Sequence, residues 1–386
     1  MNFKPRNIVT HFFLSALCLC FSSERIFAQT SLPSPAHIVI LVLEDHSFNQ
    51  IIGSSYAPYI NSLTTDSNTA LFTQSFAITH PSQPNYLHLF SGCSQGVTNN
   101  LVPAHPVFAD NLGRQLLDSG KTFYSYHEDL PYPGFDGISN GYYSRNHNPA
   151  ANFMGIGQYL FPDSLVQPLT AFPSSNYNLL PTVCFVIPND SNSMDEGNDP
   201  DKILVADTWV QNNLGGYIQW CKTNNSLFIL TFDENDSANN TIPTMFIGEM
   251  VQGGSYNDYM DHHTVLRTIE DMYGLRYACD AALEVPISVC WKTTSTLQPV
   301  SAKDKVSVKI LPRPFKDHIF LSSEKQLMIT SFTISETSGK EILVLTNIPI
   351  SQGAGKKIDL SYLPPGIYVT RLRVEGKIYQ SKIVKQ

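Results

Sequence analysis

Three nearly continuous apolar runs constrain the fold of this chain more than any other feature. They are His37–Leu43, Cys184–Ile187 and Leu227–Phe232, and all are rich in β-branched or aromatic residues. Strands that are apolar at every position are buried on both faces of a sheet. Between and after them lie stretches of helical character, at Asn111–Ser119, Ile203–Cys221 and His263–Tyr273. The sequence therefore predicts an α/β domain with a mainly parallel sheet and helices on both faces.

Charge is divided unevenly along the chain. Up to residue 291 there are 10 Lys and Arg against 26 Asp and Glu, and after it 15 against 7. Two parts of opposite charge predict two modules. We expect one domain at 29–291, a polar linker at 292–305 and a small antiparallel β-sandwich at 306–386, where short alternating runs are separated by turns. The net charge of −8 argues against nucleic acid as a partner.

The N-terminus has the layout of a signal peptide, which we place at 1–28. Lys4 and Arg6 precede an apolar run that is too short to span a bilayer comfortably, so an anchor is the weaker alternative. Export would favour disulfides among the cysteines that remain, Cys93, Cys184, Cys221, Cys279 and Cys290. Spacing makes Cys279–Cys290 the simplest pair, but sequence alone cannot assign the pairing.

Two pairs of acids follow buried strands directly. Glu44 and Asp45 come after His37–Leu43, and Asp233 and Glu234 come after Leu227–Phe232. Each pair alone could be a helix cap or a solvated turn. The carboxyl ends of parallel strands, however, meet at one edge of a sheet, which is where ligands bind in open α/β folds. Carboxylate oxygens suit hard divalent cations, so a metal site is the better interpretation.

Ser82 lies where a helix can begin, with Pro84 tolerated in the first turn. A serine at a helix N-terminus suits a phosphate or an attacking alkoxide, although a plain cap is the alternative. His80 and Asn85 are polar neighbours that could contact a bound anion. His262 precedes the helix at His263–Tyr273 and adds an imidazole, although a lone histidine is more often a surface residue.

These ingredients match metal-assisted phosphoryl transfer, in which a cation activates a hydroxyl nucleophile. The sequence contains no G-x-S-x-G elbow of an α/β-hydrolase and no P-loop.

Five segments in order resemble the bacterial phosphoesterase family, which includes acid phosphatases and phosphocholine-type phospholipases C within the alkaline-phosphatase-like superfamily. The segments are LEDHSFNQIIG (43–53), HPSQPNYLHLFSG (80–92), LPTVCFVIPND (180–190), FILTFDEND (228–236) and HHTVLRTIEDMYGL (262–275). The resemblance runs from about residue 36 to 277. It implies a hydrolase acting on phosphoric ester bonds.

The resemblance also implies roles for single residues. Ser82 corresponds to the nucleophile, which would form a phosphoseryl intermediate. His147 and His262 correspond to histidines near the phosphoryl group, of which His147 could protonate the leaving group or hold the phosphate. The implied metal ligands are Glu44, Asp45, Asp233 and Glu234.

Two departures from the family pattern concern the metal. Asp45 stands where relatives usually have Asn. Where many relatives have Asn-Asp-Met-His-Asp, this chain has Asn192-Ser193-Met194-Asp195-Glu196, so an Asp and a His are absent. Asp190, Asp195 or Glu196 could substitute. The resulting set is mostly carboxylate, which favours Mg²⁺, Mn²⁺, Ca²⁺ or iron over zinc.

The last 80 or so residues resemble the C-terminal sorting domain of the type IX secretion system. The similarity lies in Leu363–Leu372 and Lys377–Gln386. It implies secretion machinery as a partner and a secreted or outer-surface location. A generic β-sandwich binding module is the alternative.

The leading hypothesis is a secreted, metal-dependent phosphoesterase with a small phosphate ester as substrate, most similar to acid phosphatases. A phospholipase C-type phosphodiesterase comes next. A non-enzyme is the third hypothesis. It would be a surface binding protein that has lost catalysis because the histidine of the Asn-Asp-Met-His-Asp pattern is absent. A glycosidase using Glu44 and Glu234 has no further support in the chain.

Overall fold

The computed structural model describes residues 32–236, 239–292, 308–311, 314–323, 325–336, 341–352, 355–374 and 377–386. The predicted signal peptide lies outside these residues, as do all but the first residue of the predicted linker. The chain forms two compact units. The first extends to Arg276 and also includes Pro286–Thr293. The second includes Tyr277–Val285, which the sequence assigns to the first domain, together with the residues from Thr294 onwards.

The first unit contains strands and helices in alternation. Its strands are β1 (His37–Leu43), β2 (Thr69–Phe72), β3 (Ser75–Phe76), β4 (Phe123–His127), β5 (Ser139–Asn140), β6 (Tyr143–Ser144), β7 (Val166–Pro168), β8 (Val183–Ile187), β9 (Ser226–Phe232), β10 (Thr244–Gly248), β11 (Gly254–Tyr256) and β12 (Met260–Asp261). Its α-helices are α1 (Phe48–Ile51), α2 (Pro58–Leu63), α3 (Ser82–Ser91), α4 (Leu112–Asp118), α5 (Asp201–Cys221) and α6 (His262–Tyr273). Short 3-10 helices occur at Arg145–His147, Pro149–Phe153, Asp163–Leu165, Leu169–Ala171 and Tyr177–Leu179.

The central sheet has eight strands in the order β11-β2-β10-β9-β1-β8-β4-β7. Every neighbouring pair is parallel except those of β10, which runs antiparallel to β9 and β2. The predicted mainly parallel sheet is therefore confirmed. The three strands predicted from apolar runs, β1, β8 and β9, lie side by side with β1 between the others.

Both faces of the sheet are covered, as the continuous apolar runs require. Val39, Leu41 and Leu43 belong to a core that includes residues of α2 and α5. On strand β8, Phe185 points to the opposite face, where its ring lies 5.6 Å from that of Phe90 on α3. Helices thus cover both faces, and α3 is on the face opposite to α5.

The register of β1 and β9 brings their acidic ends together. Leu43, the last residue of β1, pairs with Phe232, the last residue of β9. Because the strands are parallel and in register, Glu44 and Asp233 leave the sheet as immediate neighbours. Strand β8, on the other side of β1, ends at the same edge with Ile187. This edge carries the candidate site.

The second unit is a β-sandwich. One sheet has the order β13 (Val308–Leu311), β14 (His318–Ser323) and β17 (Lys356–Asp359). The other has the order β16 (Glu341–Ile350), β15 (Leu327–Glu336), β18 (Gly366–Val374) and β19 (Lys377–Lys385). All pairs are antiparallel, and one apolar cluster draws residues from both sheets, such as Ile319 and Leu372. The predicted small antiparallel β-sandwich is confirmed.

The simplest cysteine pair is wrong. Cys290 is a free, buried thiol, as are Cys184 and Cys221. Among the described cysteines, Cys93 and Cys279 are each disulfide-bonded. Within the described part of the chain, no helix combines the length and apolar character needed to span a bilayer.

Candidate active site

The acidic ends of β1 and β9 form one carboxylate cluster. Glu44 and Asp233 are almost completely buried. The backbone N–H of Asp45 donates to Asp233 Oδ1 at 3.2 Å. Ligand oxygens of Asp45, Asp233 and Glu234 lie within 4.8 Å of one another, and so do those of Glu44, Asp45 and Asp195. The four predicted metal ligands are therefore brought to one place.

Asp45 adopts a left-handed backbone conformation, with φ of 41°. Asn and Asp tolerate this region better than other non-glycine residues, because their short polar side chains can bond locally. The conformation explains why Asp can occupy a position where the family resemblance leads one to expect Asn. The turn it makes directs its N–H toward Asp233.

Ser82 is the first residue of α3 and is 4% exposed. Its hydroxyl donates to Glu234 Oε1 at 3.2 Å. The backbone donors expected at this helix start are scarce, since the N–H of Gln83 is bonded to Asn100 Oδ1 and Pro84 has no N–H. Ser82 thus faces the carboxylate cluster, while the two residues after it offer no free backbone donor.

His80 and Asn85, both predicted to contact a substrate, differ in position. His80 is about half exposed, and its Nδ1 pairs with Glu234 Oε2. Asn85 is fully buried, and its Oδ1 accepts from the backbone N–H groups of Ile78 and Thr79 at 3.1 and 3.0 Å. The amide of Asn85 also donates to Thr79 O at 2.8 Å. Asn85 therefore holds the loop before Ser82 in place, whereas His80 lies at the mouth of the cluster.

His147 is buried beside the cluster, between two acids. Its Nδ1 is 3.1 Å from Asp190 Oδ1, and its Nε2 is 3.5 Å from Glu44 Oε2. Burial opposes the charged form, but the hydrogen bond to Asp190 and the charges of Asp190, Asp195 and Asp233 outweigh it and raise the pKa of His147. The acids around His147 thus stabilise the protonated form of its imidazole relative to a free histidine.

His262 lies behind the cluster. It is buried, and its Nε2 is 2.9 Å from the carbonyl oxygen of Phe232, the residue before Asp233. Because a carbonyl only accepts, Nε2 carries the hydrogen. Burial lowers the pKa of His262 to about 4. A neutral ring of this tautomer leaves Nδ1 as an acceptor. Among the described residues, His262 belongs to no cluster of side chains that could bind one metal ion together with the four acids. Its predicted place near the phosphoryl group stays a prediction.

The loop after β8 supplies two further acids. The Asp190 carboxylate forms a hydrogen bond with His147 and accepts another from Ser144 Oγ. Potential metal-ligand atoms of Asp195, His147 and Asp190 lie within 4.8 Å of one another. Three residues were proposed as substitutes for the Asp and His missing from Asn192–Glu196, and two of them, Asp190 and Asp195, lie at the site. Among the described residues, Glu196 belongs to no cluster of side chains that could share a metal ion.

Two residues at the site went unnoticed in the sequence. Tyr86, one turn after Ser82, donates its hydroxyl to Glu44 Oε1 and stacks on His147 with ring centroids 5.6 Å apart. His46 is fully buried and links Glu44 O to Asp199 Oδ1 at 2.9 and 3.0 Å. Both residues lie inside the motifs quoted from the sequence. Each directly follows a predicted site residue, Asp45 or Asn85, and this position in the sequence could have identified them.

The residues fit a hard divalent cation. Burial, followed by mutual repulsion, raises the pKa of Glu44 well above its usual range, that of Asp233 to about 6 and that of Glu234 to about 9. Among the described residues, none donates a hydrogen bond to the buried atoms Glu44 Oε2 and Asp233 Oδ2. Buried carboxylates are stable when a cation or donors compensate them. A cluster rich in oxygen with uncompensated lone pairs suits Mg²⁺, Mn²⁺ or Ca²⁺.

This fold and site define a hydrolase that acts on phosphoric ester bonds. The chain belongs to the phosphoesterase family, whose model matches residues 55–276. A second model, described as a secretion system C-terminal sorting domain, matches residues 309–386. Both resemblances predicted from the sequence are confirmed.

Relatives of known activity are phosphatases. The chain is 45% identical over 266 residues to a phosphatidylinositol-3-phosphatase of Mycobacterium tuberculosis, covering 68% of this chain and 85% of the relative. It is 29% identical over 234 residues to a phosphate-repressible acid phosphatase of Penicillium chrysogenum, covering 55% of each. It thus spans about half the length of that fungal enzyme.

Among solved structures, a protein of the alkaline phosphatase superfamily from Vibrio parahaemolyticus is similar with a TM-score of 0.44 and 13% identity. The match covers 83% of this chain and 82% of that one. At that score the likeness carries no further conclusion.

Proposed function

We propose that the protein is a secreted, metal-dependent phosphatase that cleaves phosphate monoesters through a phosphoseryl intermediate on Ser82. The observation that carries the proposal is the contact between the Ser82 hydroxyl and Glu234 Oε1, 3.2 Å, inside a buried cluster of carboxylates. A serine hydroxyl is a weak nucleophile unless a base or a cation activates it. This site offers both a carboxylate and a cation-binding set of oxygens.

Glu44, Asp45, Asp233 and Glu234 would hold the cation. When bound, a divalent ion lowers the pKa of a nearby hydroxyl and offsets charge on the phosphoryl oxygens. The protein's part is to hold these oxygens together. Tyr86 fixes Glu44, and the N–H of Asp45 fixes Asp233.

In the first step Ser82 Oγ forms a bond to phosphorus as the bond from phosphorus to the ester oxygen breaks. The Ser82 proton moves along the existing hydrogen bond to Glu234. His147, whose pKa is raised by the acids around it, gives its Nε2 proton to the departing oxygen, so the alcohol leaves neutral. Asp190 holds the imidazole from the other side at Nδ1.

In the second step a water oxygen forms a bond to phosphorus and the bond from phosphorus to Ser82 Oγ breaks. The neutral His147 accepts a proton from the water, and Glu234 returns its proton to Ser82. Inorganic phosphate leaves, and every group regains its starting state. His80, half exposed and paired with Glu234 Oε2, is placed to contact the entering phosphate.

Monoesters are favoured over diesters because the curated relatives named above are phosphatases. The 45% identical relative is a phosphatidylinositol-3-phosphatase, so a lipid phosphate is a candidate substrate beside small soluble esters. The sorting domain supports export to the cell surface or beyond, with the secretion machinery as partner.

The test is hydrolysis of p-nitrophenyl phosphate by the full chain, with and without chelator, for wild type, Ser82→Ala and Ser91→Ala. Ser91 is a matched control, because it is a buried serine of the same helix whose hydroxyl bonds Leu87 O at 2.8 Å. We expect chelator and Ser82→Ala to abolish turnover, and Ser91→Ala to retain it.

A panel of esters separates the alternatives. Turnover of bis-p-nitrophenyl phosphate but not of the monoester would replace the proposal with a phosphodiesterase. Tight cation binding without turnover of either ester would support the impaired binding protein. Full activity of Ser82→Ala would remove the nucleophile assigned here.

A further inference from the structure

The loop between strand β8 and helix α5 (residues 188–200) brings two acids to the active site. Asp190 Oδ1 lies 3.1 Å from Nδ1 of His147, and carboxylate oxygens of Asp195 and Glu44 lie within 4.8 Å of each other. A loop lacks the hydrogen-bond ladder of a strand, so contacts with other segments must fix it relative to the sheet. The residue that makes most of these contacts lies outside the carboxylate cluster.

Glu128, the residue after strand β4, holds the loop through its carboxylate. Its Oε2 accepts the backbone N–H of Asn189 at 3.1 Å and the side-chain amide of Asn192 at 3.0 Å. Its Oε1 accepts the indole N–H of Trp209, on helix α5, at 3.0 Å. Hydrogen bonds to an ionised acceptor are stronger than those between neutral groups. One carboxylate therefore joins the end of a sheet strand, the loop and the helix.

The loop contains a backbone conformation that its surroundings must maintain. Met194 has a φ of 84°, in the left-handed region that such side chains rarely adopt, and its side chain is completely buried. A residue in this region persists only where the surrounding contacts determine it. Its neighbours are Asp195 and Ser193, and the carbonyl oxygen of Ser193 accepts the N–H of Glu44 at 2.9 Å. Release of the loop would therefore move two contacts with the site together.

We propose that Glu128 is a positioning residue, which acts on the reaction through the loop after β8. This rests on the proposed function, in which the His147 imidazole gives a proton to the departing oxygen. Proton transfer needs a ring held at a fixed angle, and Asp190 holds it. Among the described residues, Glu128 belongs to no cluster of side chains that could share a metal ion, so its effect on the cation is also indirect.

The substitution Glu128→Gln tests the role because it changes few atoms. It replaces one carboxylate oxygen by an NH₂ group, which donates and cannot accept. Since donors approach both oxygens, the NH₂ group must face either the loop or the indole N–H of Trp209. Trp209→Phe removes that N–H. In the double variant the amide oxygen can face the loop without a clash of donors, so the double variant should recover part of what Glu128→Gln loses.

The experiment measures kcat of the full chain, in excess Mg²⁺, for phenyl phosphate and for p-nitrophenyl phosphate. Because p-nitrophenolate leaves without a proton, the ratio of the two kcat values reports on proton donation and is independent of the amount of folded enzyme. We expect Glu128→Gln to shift this ratio toward p-nitrophenyl phosphate by about 10–100-fold. The double variant should lie between Glu128→Gln and wild type.

Asp207→Asn is the matched control. Asp207 lies two residues before Trp209 on helix α5, and its carboxylate accepts the backbone N–H groups of Tyr59 and Ile60 at 2.9 and 2.7 Å. The substitution again presents an NH₂ group to a backbone donor, but these donors belong to helix α2, which carries none of the site residues described above. We expect it to lower stability and to leave the ratio of kcat values unchanged.

Affinity for Mn²⁺ tests the same positioning without turnover. It is measured on the chelator-stripped full chain from the electron paramagnetic resonance signal of the free ion. Because the loop holds both Asp195 and the backbone of Glu44, Glu128→Gln should bind Mn²⁺ about tenfold more weakly, and Asp207→Asn as tightly as wild type. An inactive wild type whose Mn²⁺ affinity falls in Glu128→Gln would end the proposed function and leave the positioning role.

Equal losses on both esters with unchanged Mn²⁺ affinity would make the role of Glu128 purely structural and overturn the proposal. Unchanged kcat values and unchanged affinity would overturn it as well. Circular dichroism shows whether Glu128→Gln folds. If it does not, Asn192→Ala, which removes one donor to Glu128, should shift the ratio in the same direction by a smaller factor, and the absence of any shift would have the same consequence.

Discussion

Replacing Asp233 by Asn should stabilise the metal-free enzyme while it destroys activity. Burial, together with the charge of Asp45, raises the pKa of Asp233 from 3.8 to about 6. A pKa difference of one between the folded and unfolded states corresponds to about 1.4 kcal/mol, so the ionised carboxylate costs the folded state about 3 kcal/mol at pH 7. The N–H of Asp45 now bonds Asp233 Oδ1, and the oxygen of an asparagine amide can accept it equally. The substitution therefore removes the charge and keeps the contact.

The effect should depend on pH in one direction. Because the folded-state pKa lies above the unfolded value, the stability that this carboxyl contributes is complete below about pH 3.8 and is lost as the pH rises through about 6. In chelator, Asp233→Asn should be more stable than wild type by up to about 3 kcal/mol at pH 7 and by only about 0.6 kcal/mol at pH 4. With cation, wild type should regain about 2.7 kcal/mol at a concentration of 100 Kd.

The assay is urea unfolding followed by tryptophan fluorescence. The three tryptophans, Trp209, Trp220 and Trp291, all lie in the first unit, so the signal reports on that unit alone. The exposed Asp236 serves as the control, and Asp236→Asn should leave stability unchanged. The reasoning is refuted if Asp233→Asn is less stable than wild type in chelator at pH 7, or if the difference is the same at pH 4.

Three further substitutions probe the neighbours of the cluster. His147→Gln should lower kcat by about 10²–10⁴ for phenyl phosphate but much less for p-nitrophenyl phosphate, whose leaving group needs no proton; equal losses would contradict a general acid. Tyr86→Phe leaves Glu44 Oε1 without its donor and should cost about 1.5–3 kcal/mol in the urea assay, and no loss would show that the contact contributes nothing. Asn85→Ala should cost about 1–3 kcal/mol by freeing the loop before Ser82, whereas normal stability with a raised KM would make Asn85 a substrate contact.

The central sheet and half of the site could be predicted because they depend on local pattern. Continuous apolar runs placed β1 and β9 to within a residue, and the acids that end them needed only the rule that parallel strands share an edge. The rule places the two acids side by side here because Leu43 pairs with Phe232. A shift of the register by one residue would have separated Glu44 from Asp233.

The remainder depends on contacts between segments far apart in the chain. Asp190 reaches His147 across 43 residues, and nothing in the spacing of either shows that they meet. The prediction that Cys279 pairs with Cys290 failed for the same reason, because disulfide pairing follows distance in space and not along the chain. Asn85 lies beside the nucleophile in sequence, yet its amide is used by the backbone of its own loop.

The charge of the site links substrate binding to cation binding. Six carboxylates converge there, from Glu44, Asp45, Asp190, Asp195, Asp233 and Glu234, and among the described residues the imidazoles of His147 and His80 are paired with them. A phosphate monoester brings further negative charge, which such a cluster repels in a low-dielectric setting. Asp45 and Asp195, standing where the family resemblance leads one to expect Asn and His, make the repulsion stronger. Bound cations would reduce this repulsion and so increase the affinity for the phosphate ester. By thermodynamic reciprocity, a bound phosphate ester would increase the affinity for the cations by the same factor. Under the proposed function, the two departures from the family pattern would thus make turnover more dependent on the cation.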